Sequence, residues 1–464
     1  MKYIDNKVED IKITYIGGGS RNWGWGLMSD LAKADDISGH VALYDIDFQA
    51  AKDNETIGNK ILDGNSGWTY KAYETIKEAL TGADFVVISI LPGTFKEMES
   101  DVHLPEEYGI YQSVGDTTGP GGVVRALRTV PMFEVIAKAI EEFCPEAWVI
   151  NYTNPMTVCV DTLYRVFPKI KAFGCCHEVF GTQTLLTKAL EDIKGIKGVK
   201  REDITVNVTG VNHFTWLTSA QYQDIDLFPV YKEFAQKYKD EGFDYMLEIE
   251  HINNAWIHYE KVKFDLFLRY GYIAAAGDRH LAEFSPGDWY LKSPEHAVEK
   301  WGFGLTPVSW RWGELERLVN KGARLLSGEE KFELKPTGEE GVLQIRAILG
   351  LENLVTNVNI PNRGQIPNLP MGAVVETNAV FRANSVVPVM SGEVPESIYP
   401  LVSRVCGGQR QLVDAALERD LEKAFRVFVN DPLVRIPLDK ARELYTRMLD
   451  NTKEYLTMYN LEQN

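Results

Sequence analysis

Ile11-Lys12-Ile13-Thr14-Tyr15-Ile16-Gly17-Gly18-Gly19-Ser20 is the stretch on which the fold turns. Its first six residues are β-prone and alternating, three glycines follow, and an amphipathic pattern then runs through Trp25, Leu27, Met28 and Leu31. Strand, glycine turn and helix in that order make a dinucleotide-binding unit. Glycines let main-chain N–H groups approach a pyrophosphate, and the helix start presents partial positive charge to it. Gly17 and Gly19 supply G-x-G, but Asn22 stands where the third glycine of the fingerprint belongs. A similar sheet that binds no nucleotide is the competing reading.

The neighbouring segments extend the unit. Val41-Ala42-Leu43-Tyr44 reads as the next strand and ends at Asp45, where a carboxylate accepts hydrogen bonds from an adenosine ribose and repels a 2′-phosphate. This favours NAD over NADP. Asp84 to Ile90 is almost wholly apolar, as a strand covered on both faces should be, and Trp148-Val149-Ile150 leads into Asn151-Tyr152-Thr153-Asn154-Pro155. With helices such as Arg125 to Phe143 between them, these strands predict a doubly wound, Rossmann-like parallel α/β sheet whose ligands sit beyond the strands' carboxyl ends. Gly17, Gly19, Ser20, Asp45 and Ser89 are the candidate cofactor contacts.

Gly115 to Gly122 reads as a rigid loop ahead of a helix, either framing a ligand or serving as a tight connection, and Asn154 would face the same crevice. Past Val206 to His213 the pattern becomes mainly helical. The expected division is a nucleotide-binding domain over residues 1–200 and a mainly helical α+β domain over 201–464, an architecture like that of lactate and malate dehydrogenases. Leu326 to Glu340 reads as a flap or surface loop, and Leu412 to Tyr459 as amphipathic helix.

Gly174-Cys175-Cys176-His177-Glu178-Val179-Phe180-Gly181 and Asn212-His213 concentrate metal-ligand types. Cys176 and His213 suit a divalent transition metal with open coordination positions, and equally suit an inert core thiol and a satisfied core histidine. A closed structural zinc site is excluded, because there are only five cysteines and no C-x-x-C pair. Scattered and odd in number, those cysteines fit a reducing compartment. The net charge of −17, from 49 basic and 66 acidic residues, disfavours a nucleic-acid partner. No apolar run approaches the ~20 residues of a membrane span, and the charged Met1 to Asp10 lacks a signal core, so the cytoplasm is expected.

The ordered set Gly-Gly-Gly-Ser, Leu-Tyr-Asp-Ile-Asp, Gly-Pro-Gly-Gly, Asn-Tyr-Thr-Asn-Pro, Cys-His-Glu-Val, Val-Asn-His-Phe, Gly-Asp-Arg-His and Pro-Asn-Leu-Pro with Val-Val-Glu resembles glycoside hydrolase family 4, the NAD- and manganese-dependent glycosidases. The resemblance spans nearly the whole chain, and Cys-His-Glu-Val looks like the α-galacturonidase subgroup. It implies Cys176 and His213 as Mn2+ ligands, Asn154 as a substrate contact, His177 as the acid at the leaving group and Asp278 as the base, with Tyr270 or Tyr272 as fallback. Phospho-sugar members carry an arginine near the position of Met98, so a 6-phosphate substrate is not expected. The implied chemistry is oxidation at sugar carbon 3, proton removal at carbon 2, elimination at carbon 1, water addition and re-reduction. A neutral His177 suits that role, and Arg279 is a candidate partner for a uronate carboxylate. Alternatives are an α-glucuronide or α-galactoside substrate, a net hydroxy-acid dehydrogenase, or a non-catalytic NAD-binding regulator. The family also implies a homodimer or homotetramer.

Overall fold

The computed structural model describes residues 1–243 and 258–461. At its centre is the Lys7–Ile16 strand, paired in parallel with Ile37–Tyr44 on one side and Phe85–Ile88 on the other. Trp68–Tyr73 lies outside Ile37–Tyr44, and Trp148–Asn151 and Lys171–Gly174 extend the opposite side. Numbered by chain order, the six parallel strands run 3-2-1-4-5-6, and the order reverses between Lys7–Ile16 and Phe85–Ile88. The switch point therefore lies at the glycine turn. Two of the six strands escape the sequence pattern. Trp68–Tyr73 is an edge strand that buries Trp68, Tyr70 and Ala72 while exposing Thr69 and Lys71, and Lys171–Gly174 has only four residues.

Period-two alternation divides the central strands between two cores. Ile13, Tyr15, Phe85 and Val87 face the core that contains Trp25, Met28 and Leu31, whereas Ile16, Val86 and Ile88 face Phe133, Ile140 and Leu163. The sheet continues beyond the parallel part. Leu354–Pro361 pairs antiparallel through Asn359 with Gly174, and Val374–Arg382 and Ser385–Pro388 complete that side. C-terminal residues thus close the edge of an N-terminal sheet.

A second, smaller sheet is built on the hairpin Ile204–Val211 and Phe214–Tyr222, whose two-residue turn is Asn212-His213. Helices Glu178–Lys194, Leu227–Tyr238 and Lys261–Tyr270 share a core with it. The helix expected from Arg125 instead spans Gly119–Phe143 and takes Gly-Pro-Gly-Gly into its first turn. A Cβ at Gly121 would lie 2.6 Å from the Gly115 carbonyl oxygen, and one at Gly122 would lie 2.6 Å from the Thr117 carbonyl carbon. Close packing of the loop on the helix start is what requires glycine there. No helix among the described residues is long and apolar enough to cross a membrane.

Candidate active site

The glycine turn is built by the protein's own packing. Gly17 has φ +96°, and a Cβ there would sit 2.0 Å from the Ser89 carbonyl oxygen; one at Gly18 would meet Leu43 at 2.8 Å. Asp45 accepts from the Gly19 N–H at 2.8 Å and from the Asp47 N–H at 2.9 Å, so the expected ribose acid also braces the turn. Burial raises its pKa, opposed by those two N–H groups. The helix Trp23–Lys33 opens with Asn22, which makes no side-chain cap bond, and has no acidic residue in its first turn. Its leading N–H groups are not capped by its own N-cap side chain, which fits a pyrophosphate. Gly17, Gly19, Ser20, Asp45 and Ser89 all come together at the switch point.

Beside it, a cavity of about 220 Å³ is lined by Asn22, Trp23, Tyr152, Thr337 and Glu339 among others. The segment read as a flap contributes Thr337 and Glu339 to its lining, and Asp30 accepts from the Thr337 N–H at 3.2 Å. Glu339 pairs with His177 Nδ1 at 2.9 Å. The Glu339 hydrogen bond, opposed by burial, raises the pKa of His177, the residue expected from the sequence to work as a neutral imidazole. The side chain is 58% exposed, its ring near Trp23.

The Cys175 to His177 loop follows the sixth parallel strand and ends at Glu178, the first residue of its helix. Glu178 accepts from the Gly277 N–H at 2.7 Å and pairs with His280 Nδ1 at 2.7 Å, joining Cys-His-Glu-Val to Gly-Asp-Arg-His. His280 stacks on His213 with ring centroids 3.9 Å apart, and Asp116, His213 and His280 bring ligand atoms within 4.8 Å of one another. Burial, then His280, pushes the His213 pKa down to about 3, leaving a neutral imidazole as metal binding requires. Burial alone would raise Asp116, yet Arg125 and the two histidines hold it at about 2. Among the described residues, no hydrogen-bond partner meets the buried His280 Nε2. Two imidazoles, one with an orphaned ring nitrogen, and a carboxylate fit a divalent cation.

Cys176 is a separate neighbour of this triad. Its thiol lies against the side chain of Asn212, the residue before His213, and both Cys176 and His213 feel the charge of Glu178. Burial, then Glu376, raises the thiol pKa well above its ordinary value. Strand residues hold the two loops together: Asn357 donates to the Cys176 carbonyl at 3.0 Å and to Glu376 at 2.7 Å, and Glu376 accepts from Asn212 and Thr215, both at 3.1 Å. Sequence reasoning missed Asp116, His280 and Glu376 as parts of one site. Their motifs stood out, but nothing local relates them to Cys176 or His213.

Asn154 donates to Asp116 at 3.4 Å and keeps a buried Oδ1 without a partner among the described residues. Asp278 is fully buried at the start of a short helix. Its Oδ1 accepts from the Lys263 N–H at 3.0 Å, Oδ2 has no hydrogen-bond partner among the described residues, and burial followed by Glu260 raises its pKa to about 6. It also groups with His258 and Glu260, where Lys263 Nζ pairs with Glu260 at 2.8 Å. Tyr270 and Tyr272 pack against Trp216 and Phe228 in the aromatic cores. Arg279 donates to the main-chain carbonyls of Gly304 and Ser113.

Known proteins match this arrangement over most of its length. The pattern described as Family 4 glycosyl hydrolase covers residues 12–192, and the family's C-terminal domain covers residues 208–434. An α-galacturonidase from Thermoanaerobacterium saccharolyticum is 62% identical over 465 aligned residues, covering 100% of both chains. The crystal structure of lplD from Bacillus subtilis superimposes with a TM-score of 0.90 at 52% identity, over 95% of this chain and 100% of that one. A 6-phospho-α-glucosidase from gut microorganisms, solved with NAD and Mn2+, shares the fold at 21% identity with a TM-score of 0.82, over 96% of this chain and 99% of that one.

Proposed function

The chain belongs to the family 4 glycosyl hydrolases, and from that premise we propose that it is an α-galacturonidase using NAD and Mn2+. When bound, NAD supplies reversible hydride transfer at sugar carbon 3 and Mn2+ supplies Lewis-acid polarisation of the sugar oxygens. Gly17, Gly19 and Ser20 hold the pyrophosphate, with Asp45 on the ribose and Ser89 at the crevice floor. His213 would hold the cation with Asp116 and His280 beside it, and Cys176 is the ligand that the family resemblance adds. Asn154 orients the ring.

Asp278 receives the carbon 2 proton. Its Oδ1 is anchored by Lys263 while Oδ2 has no hydrogen-bond partner among the described residues, and a pKa of about 6 leaves it charged at neutral pH yet basic enough to act. His177, its imidazolium favoured by Glu339, donates to the departing oxygen at carbon 1. Water then adds its hydroxyl at carbon 1 and gives its proton to His177 while Asp278 returns its proton to carbon 2, so neither residue is consumed. Five buried, unpaired thiols, one of them a cation ligand, support a reducing cytoplasmic setting, and the family resemblance supports a homodimer or homotetramer.

The observation that carries this reading is that the glycine turn and the Cys175 to His177 loop follow parallel strands of one sheet and so open on one crevice. Hydrolysis of an aryl α-galacturonide in heavy water should require NAD+, Mn2+ and a thiol reductant, accumulate no NADH, and place deuterium at carbon 2. Net NADH production would establish a hydroxy-acid dehydrogenase instead. A galacturonic acid product without deuterium would refute the elimination.

A further inference from the structure

A glycosidic bond joins two groups, and the chemistry above uses residues around only one of them. His177 is the residue assigned to the departing oxygen. Glu339 engages its Nδ1 at 2.9 Å, so the proton it gives comes from Nε2. The chain neighbour of His177 is Cys176, on the side of the sugar that is oxidised, but its ring neighbour is Trp23, the first residue of the Trp23–Lys33 helix. Those two rings have centroids 6.4 Å apart with 36° between their planes.

Tryptophan side chains are on average well buried, yet Trp23 is 39% exposed. Its ring packs on Tyr152, with centroids 5.5 Å apart, and Trp23, Tyr152 and Glu339 all line the cavity beside the glycine turn. The stretch that carries Glu339 is fixed on both sides of it. Asp30 accepts from the Thr337 N–H at 3.2 Å, and Gly341 approaches Tyr152 so closely that an added Cβ would lie 2.2 Å from the phenol oxygen. The charged side chains in the lining are the acids Asp30 and Glu339; among the described residues, no Lys or Arg lines the cavity.

We propose that Trp23 is the platform for the leaving group, that this group is itself a sugar ring, and that Asp30 and Glu339 favour a neutral ring over a second uronate. A pyranose has an apolar face of C–H bonds, which packs on an indole, and hydroxyls at its edge, which donate to carboxylates. A carboxylate on that ring would meet like charge, which turns the wrong partner away. The proposal rests on the galacturonidase reading, and the two are separated experimentally. Turnover of methyl α-galacturonide, whose leaving group is too small to reach Trp23, tests that reading by itself.

The platform is tested with two disaccharides beside the methyl glycoside, α-galacturonosyl-galactose and α-galacturonosyl-galacturonate. For wild-type enzyme, kcat/KM should be about tenfold or more higher for the neutral disaccharide than for the diuronide. Trp23→Leu should lower kcat/KM for the neutral disaccharide by about tenfold and for the methyl glycoside by less than about threefold, with Trp23→Phe close to wild type. Asp30→Asn, which keeps the side-chain shape, should narrow the preference for the neutral disaccharide by about threefold. NAD+ affinity, unchanged in all three variants, reports an intact glycine turn. A Trp23→Leu enzyme that slows all three substrates equally, or that loosens NAD+ instead, overturns the platform. A wild-type enzyme that does not distinguish the disaccharides, or an Asp30→Asn enzyme with an unchanged preference, overturns the assignment of a neutral leaving group.

Discussion

Cys176 is a buried thiol kept protonated by its surroundings, and only a cation at the site would make the thiolate the stable form. Cys176→Ser should lower Mn2+ affinity and turnover by about 100-fold or more while leaving NAD+ affinity intact, read by metal titration beside cofactor binding. Asp278→Asn removes the base without changing side-chain shape. Turnover should fall by about 10²–10⁴ with both cofactor affinities retained, and an unchanged rate would return the role to another residue. Glu376 acts one step further out, because it touches Asn212, Thr215 and Asn357 rather than the cation. Glu376→Gln should loosen Mn2+ by about 10–100-fold without unfolding the chain.

At the scale of elements, the turn after Lys7–Ile16 and the hairpin turn Asn212-His213 are the two pieces that bring ligands together. A Gly17→Ala variant would drive a methyl group into the Ser89 carbonyl from a φ of +96°. It should destabilise by about 1–3 kcal/mol and abolish NAD+ binding, seen as a lowered Tm that NAD+ no longer raises. Asp45 gives that turn a pH dependence. Burial raises its pKa, so it protonates at a higher pH than a free carboxylate and then ceases to accept strongly from the Gly19 N–H. NAD+ affinity should therefore fall as pH is lowered from neutral, starting above the ordinary carboxylate range; Asp45→Asn should flatten that profile at the weaker affinity. The Gly119–Phe143 helix shows how far a glycine-rich stretch misleads when read alone. Gly-Pro-Gly-Gly looks like loop but forms the first helical turn, where small residues are needed for contact with Gly115 and Thr117.

At the scale of the whole molecule, packing joins segments from both sides of residue 200. One hydrophobic cluster joins Ile13, Val41 and Phe173 to Ile345, Val358 and Phe381, and the Leu354–Pro361 strand covers the Lys171–Gly174 edge. Arg346 pairs with Asp36 at 2.7 Å across the same boundary. A fragment of residues 1–200 should be insoluble or lack a cooperative melt, because it exposes that edge and half a core; a fragment that melts cooperatively and binds NAD+ would contradict this. Sequence alone determined what is local: the strand, glycine turn and helix, the acid after the second strand, the apolar strand at Phe85–Ile88, and the residue types able to hold a metal. These are written in periodicities of two and 3.6 and in short motifs, so they survive without coordinates. Tertiary structure alone decided that Asp116 and His280 stand beside His213, that Glu376 ties Asn212 to the Cys176 loop across 164 residues of chain, and that Glu339 pairs with His177. Such meetings are set by how helices and strands pack in three dimensions, and side-chain pattern along a chain carries no record of which distant residue will be opposite.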